Sequence, residues 1–474
     1  MPPARSTIAS VALLGALVAL AVTLVSPREH RHPRGIVMIV VDSLRADHVG
    51  TYGYPRDTTP HLDALAAESV VFERAYSQSS WTTPSFASIF TSLYPSVHRV
   101  GHAKTRFGYT WSLAESPPTL ATSLSDAGFA TAALVDIPTL SKRRGLGRGF
   151  DSYVNLEEIA KDGAVTRRTD PDAVAVLREL AGRNFLFVWH ILDPHWPYHP
   201  PPEHDRFGPP DYEGSFENGL DRTGVSELVE GRLPLSAADR KRLVALYDAE
   251  VRYADEQIGS LVDALDAIGL ADAVMLIVTS DHGESLLEHG HYGHSLPMYE
   301  ETLRVPLIVR RPGVVPRRVP NVVQLIDLMP TLLDEMDVEA PDGLQGQSLS
   351  ALLRGEAGWV ERPAFSEAPQ FVERKSLRTG THRLIFNADV QILDDQHVPG
   401  DRSTRYLRFG SPKLYAASPA VGSMRRVIRP DTEMMRTLGG EIRARILANQ
   451  ARQITDQSAY YSFHAHAAWR DTAE

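Results

Sequence analysis

The stretch Gly35-Ile36-Val37-Met38-Ile39-Val40-Val41-Asp42 decides how this chain folds. An unbroken apolar run, rich in β-branched residues, ends on a carboxylate. Without apolar/polar alternation such a run reads as a strand covered on both faces, the situation of a parallel sheet. Asn184 to Leu192 and Ala273 to Thr279 repeat the pattern. Phe129 to Val135 reads as a further strand, and so does Val305 to Arg310.

Helical spacing falls between these runs. Pro60 to Phe72, Pro84 to Leu93, Thr119 to Ala127 and Leu328 to Met336 are candidate helices. A long amphipathic helix is expected from an N-cap at Ser236 to about Ile268, closed by Gly269. Strands alternating with helices predict an α/β layered fold with a large, mostly parallel central sheet. Pro194 to Pro234, rich in Pro, Gly and charge, reads as a long surface excursion. Past Glu361 the pattern changes. Ser376-Leu377-Arg378 and Arg383-Leu384-Ile385-Phe386 flank Thr379-Gly380-Thr381, a hairpin signal. A helix near Thr432 to Gln450, with a possible break at Gly439-Gly440, completes a small C-terminal α+β subdomain. The expected organisation is an N-terminal segment 1–34, a catalytic domain 35–360, the subdomain 361–450 and a tail 451–474.

Composition bounds the function. The chain has 474 residues, enough for a large core, and a formal net charge of −10. That charge argues against broad nucleic-acid binding, which needs a basic surface. There is no cysteine, so disulfides, thiolate-bound zinc and thiol catalysis are excluded together. Thr7 to Ser26 is an uncharged apolar run of about 20 residues, enough to cross a bilayer. It reads as an uncleaved signal anchor or as a cleaved signal peptide with Ala19-Leu20-Ala21 as its small-residue site. Either reading implies export to the periplasm or the extracytoplasmic face, and the favoured anchor reading adds membrane contact through residues 7–26. The arginines just downstream run against the positive-inside rule for an exported domain.

The chemistry-bearing residues follow the strand candidates. Asp42 follows 35–41, Asp281 and His282 follow 273–279, and Asp193 and His195 follow 184–192. In open α/β sheets ligands collect beyond the carboxyl ends of the strands, so these residues are expected to meet at one edge. Two carboxylates and a neutral imidazole suit a divalent cation. Ser80-Trp81-Thr82-Thr83-Pro84-Ser85-Phe86 adds a hydroxyl. Pro84 fits a first helical turn, which puts Thr82 or Thr83 at a helix start, where unpaired N–H groups favour an anion. A hydroxyl there beside a dication becomes a usable nucleophile. The blander alternatives stay open at this level: a strand-end Asp also caps helices, and a Thr before Pro also serves as a plain N-cap. His190 lies inside its strand and suits a hydrogen-bonded core position. His195 and one of His289, His291 and His294 suit a cleft.

These motifs resemble the sulfatase family of the alkaline-phosphatase superfamily. Val40 to His48 resembles its first metal-binding strand end, continued by Tyr52-Gly53-Tyr54, Thr59 to Asp63 and Ala75-Tyr76. Thr82-Thr83-Pro84-Ser85-Phe86 stands where the family carries Cys or Ser, any residue, Pro, any residue, Arg. Ser280 to Glu284 resembles the second metal motif, followed in family order by Gly293-His294, Tyr299-Glu300-Glu301, Arg304 to Ile308 and Lys375 to Arg378. The likeness spans roughly 35 to 390. It implies an alkaline-phosphatase-like sandwich, one divalent ion (Ca, Mg, Mn or Zn) on Asp42, Thr82, Asp281 and His282, Thr82 as nucleophile, and His195 and His294 facing an anionic ester.

Departures from the family alter the expected reaction. Sulfatases mature a Cys or Ser to formylglycine, and a Thr cannot give that aldehyde. The signature Arg is Phe86, and the Gly-Lys-Trp-His segment of many sulfatases is replaced near Leu134 to Pro138. An unmodified Thr is what phosphodiesterases, phosphonate hydrolases and lipoteichoic-acid-synthase-like transferases of the superfamily use. Asp193-Pro194-His195-Trp196-Pro197-Tyr198 also resembles a segment of those transferases. The expected function is therefore metal-dependent hydrolysis or transfer at a phosphate, phosphonate or sulfate ester of a small molecule, glycan or lipid head group. Two rivals stand beside it: a true sulfatase without formylglycine, and an inactive protein that binds anionic glycans or lipids.

Overall fold

The computed structural model describes residues 32–101, 103–105, 108–109, 112–156, 168–368, 374–386, 391–394, 405–408, 413–417, 424–426 and 432–451. The apolar run 7–26 and the tail from 452 lie outside the described residues. Among the described residues, no helix is long and apolar enough to cross a membrane.

The opening run forms strand β1 (Gly35–Val41), buried along its whole length. Its neighbours explain why it carries no polar face. Ile36, Met38 and Val40 join one apolar core and Val37, Ile39 and Val41 join another, so each face of the pleat is covered. Helix α1 (Pro60–Ala67) lies on the odd-numbered side and α2 (Thr82–Thr91) on the even-numbered side. β2 (Val70–Tyr76) connects them. Then come α3 (Leu120–Asp126), β3 (Ala130–Val135), β4 (Ser152–Asn155), α4 (Asp170–Leu180), β5 (Phe185–Ile191), α5 (Ala237–Ile268) and β6 (Val274–Thr279). β7 (Arg304–Val305), β8 (Leu307–Arg310), β9 (Arg317–Gln324) and α6 (Leu328–Glu335) close the main layer.

These strands make a nine-stranded sheet in the order β7-β2-β8-β6-β1-β5-β3-β4, with β9 paired to β2. Pairing is parallel from β6 through β1, β5 and β3 to β4, while β8 runs antiparallel to both β6 and β2. The architecture is the expected sandwich of helices on a large, mostly parallel sheet. Three local readings change. Pro60 to Phe72 is not one helix: α1 ends at Ala67, and Val70 and Phe72 sit in β2, where β-branched and aromatic residues pack between neighbouring strands. The helix read from Pro84 starts at Thr82. The excursion 194–234 is not simply a surface loop, since it carries a helix at Arg222–Val229 and buries Tyr198, Phe216 and Leu220.

A second, five-stranded antiparallel sheet forms the C-terminal subdomain from β10 (Ala364–Ala368), β11 (Arg374–Arg378), β12 (His382–Phe386), β13 (Lys413–Ala417) and β14 (Met424–Arg426). The hairpin at Thr379-Gly380-Thr381 joins β11 to β12. Helix α7 (Thr432–Ala451) runs unbroken through Gly439-Gly440. Its Leu438 and Ile442 pack with Tyr94, Ile326, Phe365, Leu377 and Leu384.

The segment after Asp42 is irregular and needs a fastener. Asp248 of α5, fully buried, accepts hydrogen bonds from His48 Nδ1, Tyr54 Oη and Arg56 Nη1, each at 2.6 Å. Tyr247 beside it takes the Arg45 amide at 2.9 Å and donates to the Ser43 carbonyl at 2.8 Å. Removing the Asp248 carboxylate strands three buried or half-buried donors. Asp248→Ala is expected to lower unfolding free energy by about 3 kcal/mol in urea titration. A loss below about 1 kcal/mol would show that this tie contributes little.

Candidate active site

Strand register brings the distant residues together. β1 pairs with β5 so that Val41 faces Ile191, and with β6 so that Val40 faces Thr279. The next residues along β1 and β6 are therefore Asp42 and, two past Thr279, Asp281 and His282. All three are fully buried, and one ligand atom from each lies within 4.8 Å of the others. Asp42, even-numbered like Ile36, Met38 and Val40, falls on the α2 side of the sheet.

Thr82 arrives by a different route. β2 leaves the sheet at Tyr76, and 77–81 fold under Ser77 and Ser85, whose hydroxyls lie 3.0 Å apart. Trp81, extended at φ −160°, then starts α2 at Thr82. The Thr82 hydroxyl lies 3.1 Å from His282 Nε2 and 3.5 Å from Asp42 Oδ2. The neighbouring Thr83 hydroxyl is buried without a hydrogen-bond partner. The first N–H groups of α2 have no intrahelical partner and add positive potential at this point.

The donor set fits a cation. His282 Nδ1 lies 2.9 Å from the Gly283 carbonyl, which only accepts, so Nδ1 carries the hydrogen and Nε2 offers a lone pair. That lone pair is 3.3 Å from Asp281 Oδ2 and 3.6 Å from Asp42 Oδ1. Asp281 Oδ1 accepts from the amides of Ser43 and His282, but Oδ2 has no hydrogen-bond partner. Asp281 Oδ2, a buried acceptor beside another acceptor and without a donor of its own, is costly, and a divalent ion would resolve the conflict.

The titration behaviour follows from the same crowding. Burial, then the charge of Asp42, pushes the Asp281 carboxyl well above its ordinary range. Burial, helped by His294, lowers His282 to about 3. For Asp42, burial alone would raise the pKa, yet His195, the hydrogen bond from His190 and His282 together hold it below the usual carboxylate range. Burial also lowers His195, so both it and His282 are neutral at pH 7, and the His190 hydrogen bond is the contribution that persists there.

His294 and His195 stand over the cluster. The His294 ring centroid is 4.5 Å from that of His282 and 4.9 Å from that of His195, and Trp196 stacks along His294 at 6.1 Å. Glu284 Oε1 lies 3.0 Å from His294 Nδ1. Burial raises Glu284 to about 8 and lowers His294 to about 4, so at neutral pH this is an uncharged pair. Asp193 is not part of the cluster. Burial raises its carboxyl to about 7, and its partner is Glu250. His289 also points elsewhere: it bonds Glu301 at 2.7 Å and stacks on Tyr299.

Three contributors went unread in the sequence as site residues: Ser43, Glu284 and His190. Ser43 sits at φ 61° and donates to Asp42 Oδ1 at 2.9 Å. His190 Nε2 lies 3.2 Å from Asp42 Oδ2. Strand parity was the available signal for His190, since even positions of β1 and β5 share the α2 face.

Comparison with known proteins identifies the family. A family model described as Sulfatase matches residues 34–338. The chain belongs to the sulfatase family, and its coarse class is that of an ester hydrolase. It is 26% identical over 384 residues to an arylsulfatase of Clostridium perfringens, covering 67% of this chain and 78% of that one. A phosphonate monoester hydrolase from Silicibacter pomeroyi superposes with a TM-score of 0.66 at 22% identity, covering 91% of this chain and 98% of the other. A protein solved in complex with its substrate D-glucosamine-2-N,6-O-disulfate superposes with a TM-score of 0.67 at 20% identity, covering 89% and 98%. At these identities the structural likeness speaks to the fold.

Gly283 gives a local test of the cluster. A Cβ there would sit 2.0 Å from the Glu301 carbonyl oxygen, backbone that cannot swing aside. Gly283→Ala is expected to cost about 1–3 kcal/mol, as other overpacked positions do, and to weaken Mn²⁺ binding by displacing His282. Wild-type melting temperature and wild-type titration in the variant would contradict this.

Proposed function

We propose that the chain is an exported, metal-dependent hydrolase of phosphate esters, with phosphodiesters or phosphonate monoesters as the preferred class and Thr82 as nucleophile. The observation that carries the reading is the Thr82 hydroxyl, 3.1 Å from His282 Nε2 and 3.5 Å from Asp42 Oδ2, at the N-terminus of α2.

Asp42, Asp281 and His282, with Thr82, would hold one divalent ion, whose bound charge favours the Thr82 alkoxide and neutralises the anionic ester. The remaining roles fall to the chain. Thr82 Oγ1 gives up its proton to solvent and attacks phosphorus, the bond to the leaving oxygen breaks, and that oxygen takes a proton from solvent. His294 and His195 stand over the cluster and are placed to hydrogen-bond the ester or the departing oxygen. The amides that open α2 stabilise charge on the transferring group. Water then attacks the phospho-threonine, releasing the product acid and restoring the hydroxyl. Trp196 and the buried wall around it limit competing water.

One feature favours phosphoryl over sulfuryl chemistry: Thr82 cannot become a formylglycine, so the hydrate route is closed to it. Phe86 removes a cation from the anion's surroundings, which suits a singly charged phosphodiester or phosphonate monoester better than a doubly charged phosphomonoester. Hydrolysis is favoured over transfer because transferases of this type usually carry several membrane spans, and residues 7–26 supply at most one.

The test is a panel of aryl phosphodiesters, phosphonate monoesters, phosphomonoesters and sulfates, each with Mn²⁺, Mg²⁺, Ca²⁺ or Zn²⁺. Turnover is expected to vanish in EDTA, return with one of these ions, and fall at least about 10³-fold in Thr82→Ala, the scale on which nucleophile loss acts. Unchanged turnover in Thr82→Ala rules out the assigned nucleophile. Preference for aryl sulfate would point to a sulfatase without formylglycine. A protein that binds anions but turns over none of them would point to the binding protein.

A further inference from the structure

His190 has no counterpart among the residues assigned above, yet it touches the most important of them. It is fully buried near the carboxyl end of β5, in register with Val40 of β1. The Asp136 amide, just past β3, donates to His190 Nδ1 at 3.3 Å. A backbone N–H can only donate, so Nδ1 is the acceptor and the ring hydrogen resides on Nε2. That Nε2–H points at Asp42 Oδ2, 3.2 Å away, the same oxygen that lies 3.5 Å from the Thr82 hydroxyl. The ring of Phe86, fully buried, packs edge-on against the imidazole with centroids 5.5 Å apart and planes at 72°. Ring orientation is thus fixed from two sides, by a main-chain donor and by an aromatic wall.

We propose that His190 is a positioning residue that aims the Asp42 carboxylate at the cation and at Thr82, with Phe86 and the Asp136 amide holding its tautomer and rotamer. Three adjacent parallel strands contribute: β1 the ligand, β5 the donor, β3 the amide that fixes the donor. By taking one lone pair of Oδ2, His190 leaves the other directed into the cluster, while Ser43 Oγ does the same for Oδ1. Partners of this kind set the orientation and basicity of a ligand, and their loss typically costs 10–100-fold in metal affinity. The position of Phe86 is part of the same device, since an apolar ring denies water to the imidazole without competing for Asp42.

The inference rests on Asp42 being a metal ligand, and the experiment separates the two. Mn²⁺ alone is titrated calorimetrically into the full chain and into His190→Phe, His190→Gln and His190→Asn. The amide of Gln reaches the place of Nε2, whereas that of Asn reaches only the place of Nδ1. The wild type and His190→Gln are expected to bind alike, with His190→Phe and His190→Asn about 10–100-fold weaker. Metal-induced gain in melting temperature should follow the same order, a rescue that a merely space-filling role would not give. If the wild type binds Mn²⁺ and all folded variants bind it equally, the positioning role is overturned and the metal centre stands. If His190→Phe does not fold, Gln against Asn still decides. If the wild type binds no Mn²⁺, Mg²⁺, Ca²⁺ or Zn²⁺, the metal centre itself falls, and this inference with it.

Discussion

Two carboxylates and an imidazole lone pair meet in a space with no solvent, and the rest of the site answers to that fact. Asp42, Asp281 and His282 are each fully buried. Burial first, and then repulsion from Asp42, which grows as water is withdrawn, drives Asp281 toward its protonated form in the absence of positive charge. The fold imposes the encounter. Parallel pairing of β1 with β6 fixes where their carboxyl ends lie, and nine strands of buried apolar pairing hold that register. A single carboxylate would relax by turning its side chain. Here the amides of Ser43 and His282 hold one oxygen of Asp281, and the other is left facing the cluster. The stability of the sheet is what keeps an otherwise unfavourable group of acceptors assembled.

That constraint explains why the Thr82 hydroxyl lies where it does. A hydroxyl brought into a field of acceptors becomes their donor, so Thr82 is oriented before any substrate arrives. It stands between His282 Nε2 and Asp42 Oδ2, with the N-terminal end of α2 behind it. The imidazoles above it are neutral at pH 7, because burial lowers His195 and brings His294 to about 4. Among the described residues, the imidazoles that stand over Thr82 are therefore uncharged, and the N-terminus of α2 adds positive potential there.

The broad architecture was legible because parallel-sheet strands announce themselves. Runs such as 35–41 and 274–279 are buried on both faces for a physical reason, and the residues just past them, Asp42 and Asp281, mark the functional edge. β2 was not legible. Val70-Val71-Phe72 follows directly on α1, and a short apolar run beside a helix reads as more helix until its partners β8 and β9 are known. Motifs located Asp42, Thr82, Asp281, His282 and His294, and the structure places them around one centre. What motifs did not give was support. His190 reads as core by hydrophobic context, and Ser43 and Glu284 read only as members of motifs. Each acts through hydrogen bonds to residues well away in the chain or to a strained backbone, and such relations have no signature in local spacing.

The family signature places an arginine where this chain has Phe86, and a donor sits on the opposite strand at 190. The two facts belong together physically. A guanidinium in the buried space of Phe86 would need carboxylate partners, and Asp42 Oδ2 is the acceptor on that face. It would then compete with the imidazole for one lone pair and with the metal for the same carboxylate. An apolar ring avoids the contest. It packs against the face occupied by His190, adds no charge, and leaves Asp42 Oδ2 to two uncharged donors, the His190 imidazole and the Thr82 hydroxyl. A carboxylate so held stays a strong ligand, because a neutral hydrogen bond drains less charge from the oxygen than an ion pair would. The exchange of a cation for an aromatic ring thus leaves Asp42 held by hydrogen bonds rather than by an ion pair.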